Sequence, residues 1–175
     1  MIYIGIDGGP TGGIVALSPC KGLAPILIAP MPTLKRDGIT LVDGRAVVSL
    51  LRGLPWPEDG LMIAIEDLPH HSMSKAAMRS MALNFGRLTG AIEARLESGR
   101  VRVAYVPAGN AKDGWQRAML GKVPQGQTKA YALEAARSLW PDETWLRTPA
   151  CKLPHDGFVD AALIGEFIRK KGEGK

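Results

Sequence analysis

The sequence predicts an α/β fold: a mixed five-stranded sheet flanked by helices on both faces. Two observations predict it. Strand-like segments come first and are followed by strands alternating with helices, the order of a layered α/β structure. Five segments have strand character, three before residue 31 and two, at 61–65 and 101–106, separated by a long helical pattern. With 175 residues, 46% apolar and 22% charged, the chain reads as a single globular domain over 1–175.

The elements follow in order. Ile2, Ile4 and Ile6 alternate with Tyr3 and Gly5, which predicts a strand over 1–7. Gly8-Gly9-Pro10-Thr11-Gly12-Gly13 predicts a tight turn, and Ile14 to Leu17 the returning strand of a hairpin. Leu23 to Ala29 is a third apolar run, stopped by Pro30, and the Pro- and Gly-containing stretch from Met31 to Gly44 reads as a loop. Residues 45–53 fit a short helix with Val47, Val48, Leu50 and Leu51 on its apolar side. After the breaker Pro55-Trp56-Pro57, Leu61 to Ile65 is the continuous apolar run of a buried central strand.

From Ser72 to Glu97 the period is helical, with Met73, Ala76, Ala77, Met81, Leu88, Ile92 and Leu96 near one stripe. Gly86 and Gly90, four apart, would bring that helix close to the sheet. Val101 to Val106 is the last strand. Short helices are expected at Trp115–Leu120 and Thr128–Leu139, and a final one from His155 to Lys171.

No apolar run approaches the roughly 20 residues that span a bilayer. The N-terminus has no basic leader and meets Asp7 early, so it does not read as a signal peptide. Cys20 and Cys151 form no CxxC pair and read as free thiols in a reducing cytoplasm.

The net charge of +5 is unevenly spread. Residues 69–130 carry ten Lys and Arg against three Asp and Glu. The ten include Lys75, Arg79, Lys112, Arg117, Lys122 and Lys129. A basic middle in an otherwise slightly acidic chain suits a polyanionic partner, although a solvated basic surface would read the same way.

Four carboxylates stand out. Asp7 ends the first strand and Glu66 the central one, while Asp156 and Asp160 sit four apart on one face of the last helix. Singly, each has an ordinary reading as a turn residue, a strand end, a helix cap or a solvated position. Together they need another explanation, because like charges at i and i+4 repel. Hard oxygen ligands suit Mg²⁺ or Mn²⁺. Four carboxylates around two such ions would make a phosphodiester-cleaving centre.

These residues carry a resemblance. Tyr3-Ile4-Gly5-Ile6-Asp7 with its glycine turn and Ile63-Ala64-Ile65-Glu66 open the series. Val106-Pro107-Ala108 before Trp115-Gln116-Arg117, and Lys129 in a helix ending Leu139-Trp140-Pro141, continue it. His155-Asp156-Gly157-Phe158-Val159-Asp160 closes it. In this order and spacing the chain resembles the RuvC-type Holliday-junction resolvases of the ribonuclease H-like superfamily. The match spans nearly the whole chain and looks most like the short phage and organelle branch.

The resemblance implies a homodimeric, metal-dependent endonuclease that cuts four-way DNA junctions symmetrically and leaves a 5′-phosphate and a 3′-hydroxyl. It implies two Mg²⁺ (or Mn²⁺) held by Asp7, Glu66, Asp156 and Asp160, and Lys129 near the scissile phosphate. Bacterial members usually space the last two ligands by three residues, so Asp156 departs from their pattern. His155 is the alternative ligand, with a surface position at a helix start as its simpler reading. DNA contacts are expected from His70 and His71 in the loop after Glu66, which reads equally as a solvated loop, from Trp115 by stacking or at the backbone, although a tryptophan there is more often core, and from Lys75, Arg79, Lys112, Arg117 and Lys122.

Three other readings fit some of the same residues. The turn Gly8–Gly13 also looks like the phosphate-binding hairpin of actin-like sugar kinases, but those enzymes need two such domains. A non-catalytic junction binder would not need four acids. A nuclease acting on RNA–DNA hybrids would share both the acids and the basic segment.

Overall fold

A computed structural model describes residues 1–20, 22–67, 74–96, 99–109 and 113–173. Strand β1 (Ile2–Ile6) pairs antiparallel with β2 (Gly13–Leu17), which pairs antiparallel with β3 (Leu27–Pro30). On its other side β1 pairs parallel with β6 (Leu61–Glu66), and β6 pairs parallel with β7 (Val101–Val106). The sheet order is β3-β2-β1-β6-β7, the mixed five-stranded sheet that the sequence predicts.

Between β3 and β6 lies a correction. Residues 31–44, expected as a loop, contain a hairpin of β4 (Thr33–Arg36) and β5 (Ile39–Val42). Its two turn residues, Asp37 (φ 51°) and Gly38 (φ 77°), are both left-handed. Asp-Gly is the dipeptide that such a two-residue turn favours, because its twist matches that of the flanking strands. The third strand is also shorter than expected, and Leu23 and Ile26 remain exposed.

Helix α1 (Gly44–Arg52) begins at Asp43, whose Oδ1 accepts from the amides of Arg45 and Ala46. Helix α2 (Lys75–Leu96) follows β6; α3 (Trp115–Leu120), α4 (Thr128–Leu139) and α5 (Asp156–Glu173) follow β7. The C-terminal half of α2 is buried through Leu88, Ile92 and Leu96, as expected. Its first turns are not: Ala76 is exposed and Ala77 and Met81 only half-buried. Gly86 and Gly90 do not bring α2 onto the sheet; a Cβ at either would meet nothing.

The sheet separates two cores. Ile2, Ile4, Ile6, Ile14, Ile63 and Ile65 pack with Val47 and Leu51 of α1 and Leu88 and Ile92 of α2. Val15, Leu17 and Ala64 pack instead with Trp115, Ala132, Ala136 and the apolar face of α5. Helices therefore cover both faces. Side chains alternate along a strand, so the odd positions of β1 and the even positions of β6 face α5. Glu66, the last residue of β6, is on that face, and continuing β1 by one residue places Asp7 there too.

Close contact brings α5 within reach of them. A Cβ at Gly5 would lie 1.8 Å from the Ala161 carbonyl oxygen, so only glycine lets β1 and α5 touch there. A Cβ at Gly157 would lie 2.7 Å from the backbone of Gly12. That second contact seats the first turn of α5 on the glycine turn after Asp7. Among the described residues no helix is long and apolar enough to cross a membrane.

Candidate active site

Four acids from three elements gather at one end of the sheet. Ile6 pairs with Ile65 in the parallel β1–β6 ladder, so Asp7 and Glu66 leave neighbouring strands side by side. Asp160 comes from the second turn of α5 and Asp156 from its first residue. The Gly9 amide donates to Asp7 Oδ1 at 3.3 Å, an Asx-type bond that ties the carboxylate to the turn. The indole Nε1 of Trp115 donates to Glu66 Oε1 at 2.8 Å.

Burial makes charge costly here. Desolvation is the largest influence on each of the three inner acids. It raises Asp7, against the Gly9 bond, which lowers it. It raises Glu66 to about 7, with the Trp115 bond opposing and the charge of Asp7 adding. Asp160 is raised to about 8 by burial and then by Asp7, Glu66 and Asp156, with Lys129 offsetting part. These mutual influences place the acids within electrostatic reach of one another. Among the described residues, none of Asp7, Glu66 and Asp160 forms an ion pair.

Asp156 differs. Its side chain is 53% exposed and forms an ion pair with Lys129 of α4. That bond raises Lys129. His155 is not the surface residue expected at a helix start. It is half-buried, its ring lies 4.3 Å from that of Phe158, and burial lowers its pKa. Its Nδ1 is buried without a hydrogen-bond partner among the described residues. The Trp145 carbonyl accepts from the His155 amide at 2.7 Å and fixes where α5 begins.

The expected DNA-contacting residues divide into three groups. Lys75, Arg79, Arg117, Lys122 and Lys129 are exposed. His70, His71 and Lys112 lie outside the described residues. Trp115 requires a correction: it is 0% exposed, packed among Ala132, Phe158 and Ala161, and cannot stack on a base. Its position on the first turn of a short amphipathic helix is the signal for a core role, and the bond to Glu66 needs the tertiary structure to be seen.

The donor set is hard and desolvated, and among the described residues its inner three members form no ion pair. That chemistry fits divalent Mg²⁺ or Mn²⁺. The oxygens are not drawn into a closed cage: among the described residues no three His, Cys, Asp or Glu side chains converge tightly enough to hold an ion. The fit thus lies in donor type, proximity and uncompensated charge.

No protein-family model matches the sequence, and no curated protein matches it. Solved structures do. The chain is similar to the RuvC structure of Thermus thermophilus, with 17% identity, a TM-score of 0.53, and coverage of 98% of this chain and 97% of that one. It is similar also to T. thermophilus RuvC in complex with a Holliday junction substrate, with 14% identity, a TM-score of 0.58 and the same coverage of 98% and 97%. The chain shares the ribonuclease H-like fold of these RuvC structures.

Proposed function

We propose that this chain is a divalent-metal-dependent endonuclease that resolves four-way DNA junctions by paired, symmetric cuts. The observation that carries the reading is the gathering of Asp7, Glu66 and Asp160, three desolvated carboxylates without ion-pair partners among the described residues. An isolated buried charge is expensive, and three that repel one another have no structural use. The RuvC-type fold supplies the substrate class: one of the similar structures holds a Holliday junction.

In this reading Asp7, Glu66, Asp160 and Asp156 hold two Mg²⁺ or Mn²⁺. Bound there, the ions would activate a water and stabilise the leaving oxygen. The chain's own residues do the rest. Gly9 and Trp115 fix the two strand-end carboxylates by one oxygen each. Lys129, exposed at the rim and paired with Asp156, is free to exchange that partner for a phosphate oxygen. Lys75, Arg79, Arg117 and Lys122 neutralise backbone phosphates outside the centre. Hydrolysis leaves a 5′-phosphate and a 3′-hydroxyl.

Symmetric cutting needs two centres related by a two-fold axis, so the functional unit is a homodimer. Met78 and Leu83 on α2, 52% and 51% exposed, offer apolar surface that a second copy would cover. The spacing of Asp156 and Asp160 favours the phage and organelle branch, and the reading takes 1–175 as one nuclease domain acting in the cytoplasm.

The test is a gel assay on a synthetic four-way junction with Mg²⁺ and with EDTA, beside linear duplex and an RNA–DNA hybrid. Paired symmetric nicks that need the metal and the junction are the expected result. Cleavage of the hybrid but not the junction would keep the acids and replace the substrate. Junction binding without cutting would make the chain a non-catalytic relative.

A further inference from the structure

The β4–β5 hairpin, α1 and α2 enclose an open groove of about 670 Å³. Helix α2 runs back from the Glu66 end of β6 toward its start, where the Arg100 carbonyl accepts from the Leu61 amide at 2.8 Å. The groove follows α2 from Arg87 to Arg95, so it lies along the half of the helix farther from the carboxylates.

Two glycines shape it. A Cβ at Gly44 would lie 2.5 Å from the Ala91 Cβ, so only glycine lets the start of α1 rest on α2 and close the floor. Gly90 does the reverse: a Cβ there would meet nothing, and the space it leaves belongs to the groove. The Asn84 side chain accepts from the Val42 amide at 2.8 Å and donates to the Ser80 carbonyl at 3.0 Å, which holds the hairpin against α2. The walls are therefore in place before anything enters, as in most binding clefts.

The lining has two characters. Leu34, Ala91 and Ala94 are apolar, and Arg45, Arg87 and Arg95 stand around them. Among the described residues none of these arginines forms an ion pair. The Arg87 Nε donates to the Val42 carbonyl at 2.8 Å, which leaves both terminal NH₂ groups for another partner. Asp43 also borders the groove, and its Oδ1 is taken by the amides that start α1. An apolar floor with a cationic rim complements a segment whose apolar side chains are flanked by carboxylates, which guanidinium groups bind in pairs of hydrogen bonds. A phosphodiester backbone fits less well, because it would lay charge over the apolar floor and meet Asp43.

We propose that this groove docks an acidic segment of a partner protein, with an apolar side chain on Leu34 and Ala91 and carboxylates on Arg45, Arg87 and Arg95. Docked there, the segment holds the enzyme to its partner and leaves Asp7, Glu66 and Asp160 open to substrate.

The experiment pans a phage-displayed library of random peptides on the full chain. Enriched sequences are made as fluorescein-labelled peptides and titrated by fluorescence polarisation. The expected sequences carry Asp or Glu on either side of an apolar residue and bind more weakly as salt is raised. Gly90→Leu fills the groove, and leucine favours a helix more than glycine does, so α2 stays folded. This variant should weaken binding by about tenfold or more, the loss expected when an interface anchor is blocked. Arg45→Glu combined with Arg95→Glu, both at exposed positions, should do the same. Asp7→Asn protein should bind the peptides as the parent does, so docking is tested apart from the junction-nuclease reading.

Panning that enriches no acidic sequence overturns the inference. So do acidic peptides whose binding survives both groove variants. Loss of duplex-DNA affinity in both variants, with no acidic peptide enriched, would make the groove a nucleic-acid surface. A parental dimer that Gly90→Leu converts to monomer in sedimentation would make it a contact between copies of this chain. Either result also overturns the proposal.

Discussion

The indole Nε1 of Trp115 lies 2.8 Å from Glu66 Oε1, although 49 residues separate the two. Trp115 is wholly buried on the first turn of α3, so the bond anchors the carboxylate to the core. One oxygen is engaged, and in the proposed reading the other is left for an ion. Trp115→Phe keeps a ring in the core and removes the donor. Losing an outer partner of this kind typically costs about 10–100-fold in metal affinity or activity. We expect the half-saturating Mg²⁺ concentration for cutting to rise on that scale, with junction binding unchanged. An unaltered Mg²⁺ titration in a folded variant would show that Glu66 does not depend on the indole.

The four acids should not be equal. Asp7→Asn is expected to abolish cutting and leave junction binding largely intact. Asp156→Asn should cost much less, because Asp156 is more than half exposed and already neutralised by Lys129. Lys129→Met should slow cutting by about 10²–10³, the usual effect of deleting one group that stabilises developing charge, with little loss of binding. Normal cutting by Asp7→Asn, or a greater loss from Asp156→Asn than from Asp7→Asn, would overturn this ranking. Single-turnover rates on a labelled junction decide it.

Stability should fall as pH rises in the absence of metal. Burial raises Asp7, takes Glu66 to about 7 and takes Asp160 to about 8. In the unfolded chain these acids ionise near pH 4. Between about pH 4 and 8 the native state therefore holds protons that the unfolded state has released, and stability drops across that window. Each tenfold displacement is worth about 1.4 kcal/mol, or about 3–6 °C in Tm for a chain of this size. In EDTA, Tm should decline from pH 5 to pH 8. Mg²⁺ should restore it at pH 8 and do little at pH 5. Asp160→Asn should flatten the decline and raise Tm at pH 8, since function here opposes stability. A Tm indifferent to pH in EDTA and to Mg²⁺ at pH 8 would contradict the assignment of these acids.

The far half of α5 carries a second charged pair with a different role. Glu166 (0% exposed) and Arg169 (2%) form an ion pair inside the protein, and the Arg169 guanidinium also donates to the Ser18 carbonyl at 3.5 Å. Removing one member strands the other charge, a loss of about 3–5 kcal/mol. Arg169→Met should lower the denaturant midpoint on that scale and leave cutting normal at low temperature. Adding Glu166→Leu should recover much of the loss. A single variant as stable as the parent would mean that the pair is solvated in solution.

Much of this protein is legible in the sequence because strand alternation is local. Ile2, Ile4 and Ile6 define one face of β1, so Asp7 falls on the other, and Ile63 and Ile65 do the same for Glu66. The apolar run around Asp160 likewise marks a carboxylate held at a buried helix face. The Asp37-Gly38 turn has a local signature as well, since Asp-Gly favours a two-residue hairpin, but it stands among Pro and charged residues that have loop character.

Other features depend on approaches between distant segments. The contact of Gly5 with the Ala161 carbonyl decides how near α5 lies to β1, and so whether Asp160 can join Asp7 and Glu66. The place of Trp115 beneath Glu66, the burial of His155 against Phe158 and the groove between α1 and α2 have no short-range signature either. The sequence determined which side chains each element would offer and to which face. Tertiary structure decided which of them meet, because packing and desolvation act between residues that the chain itself keeps far apart.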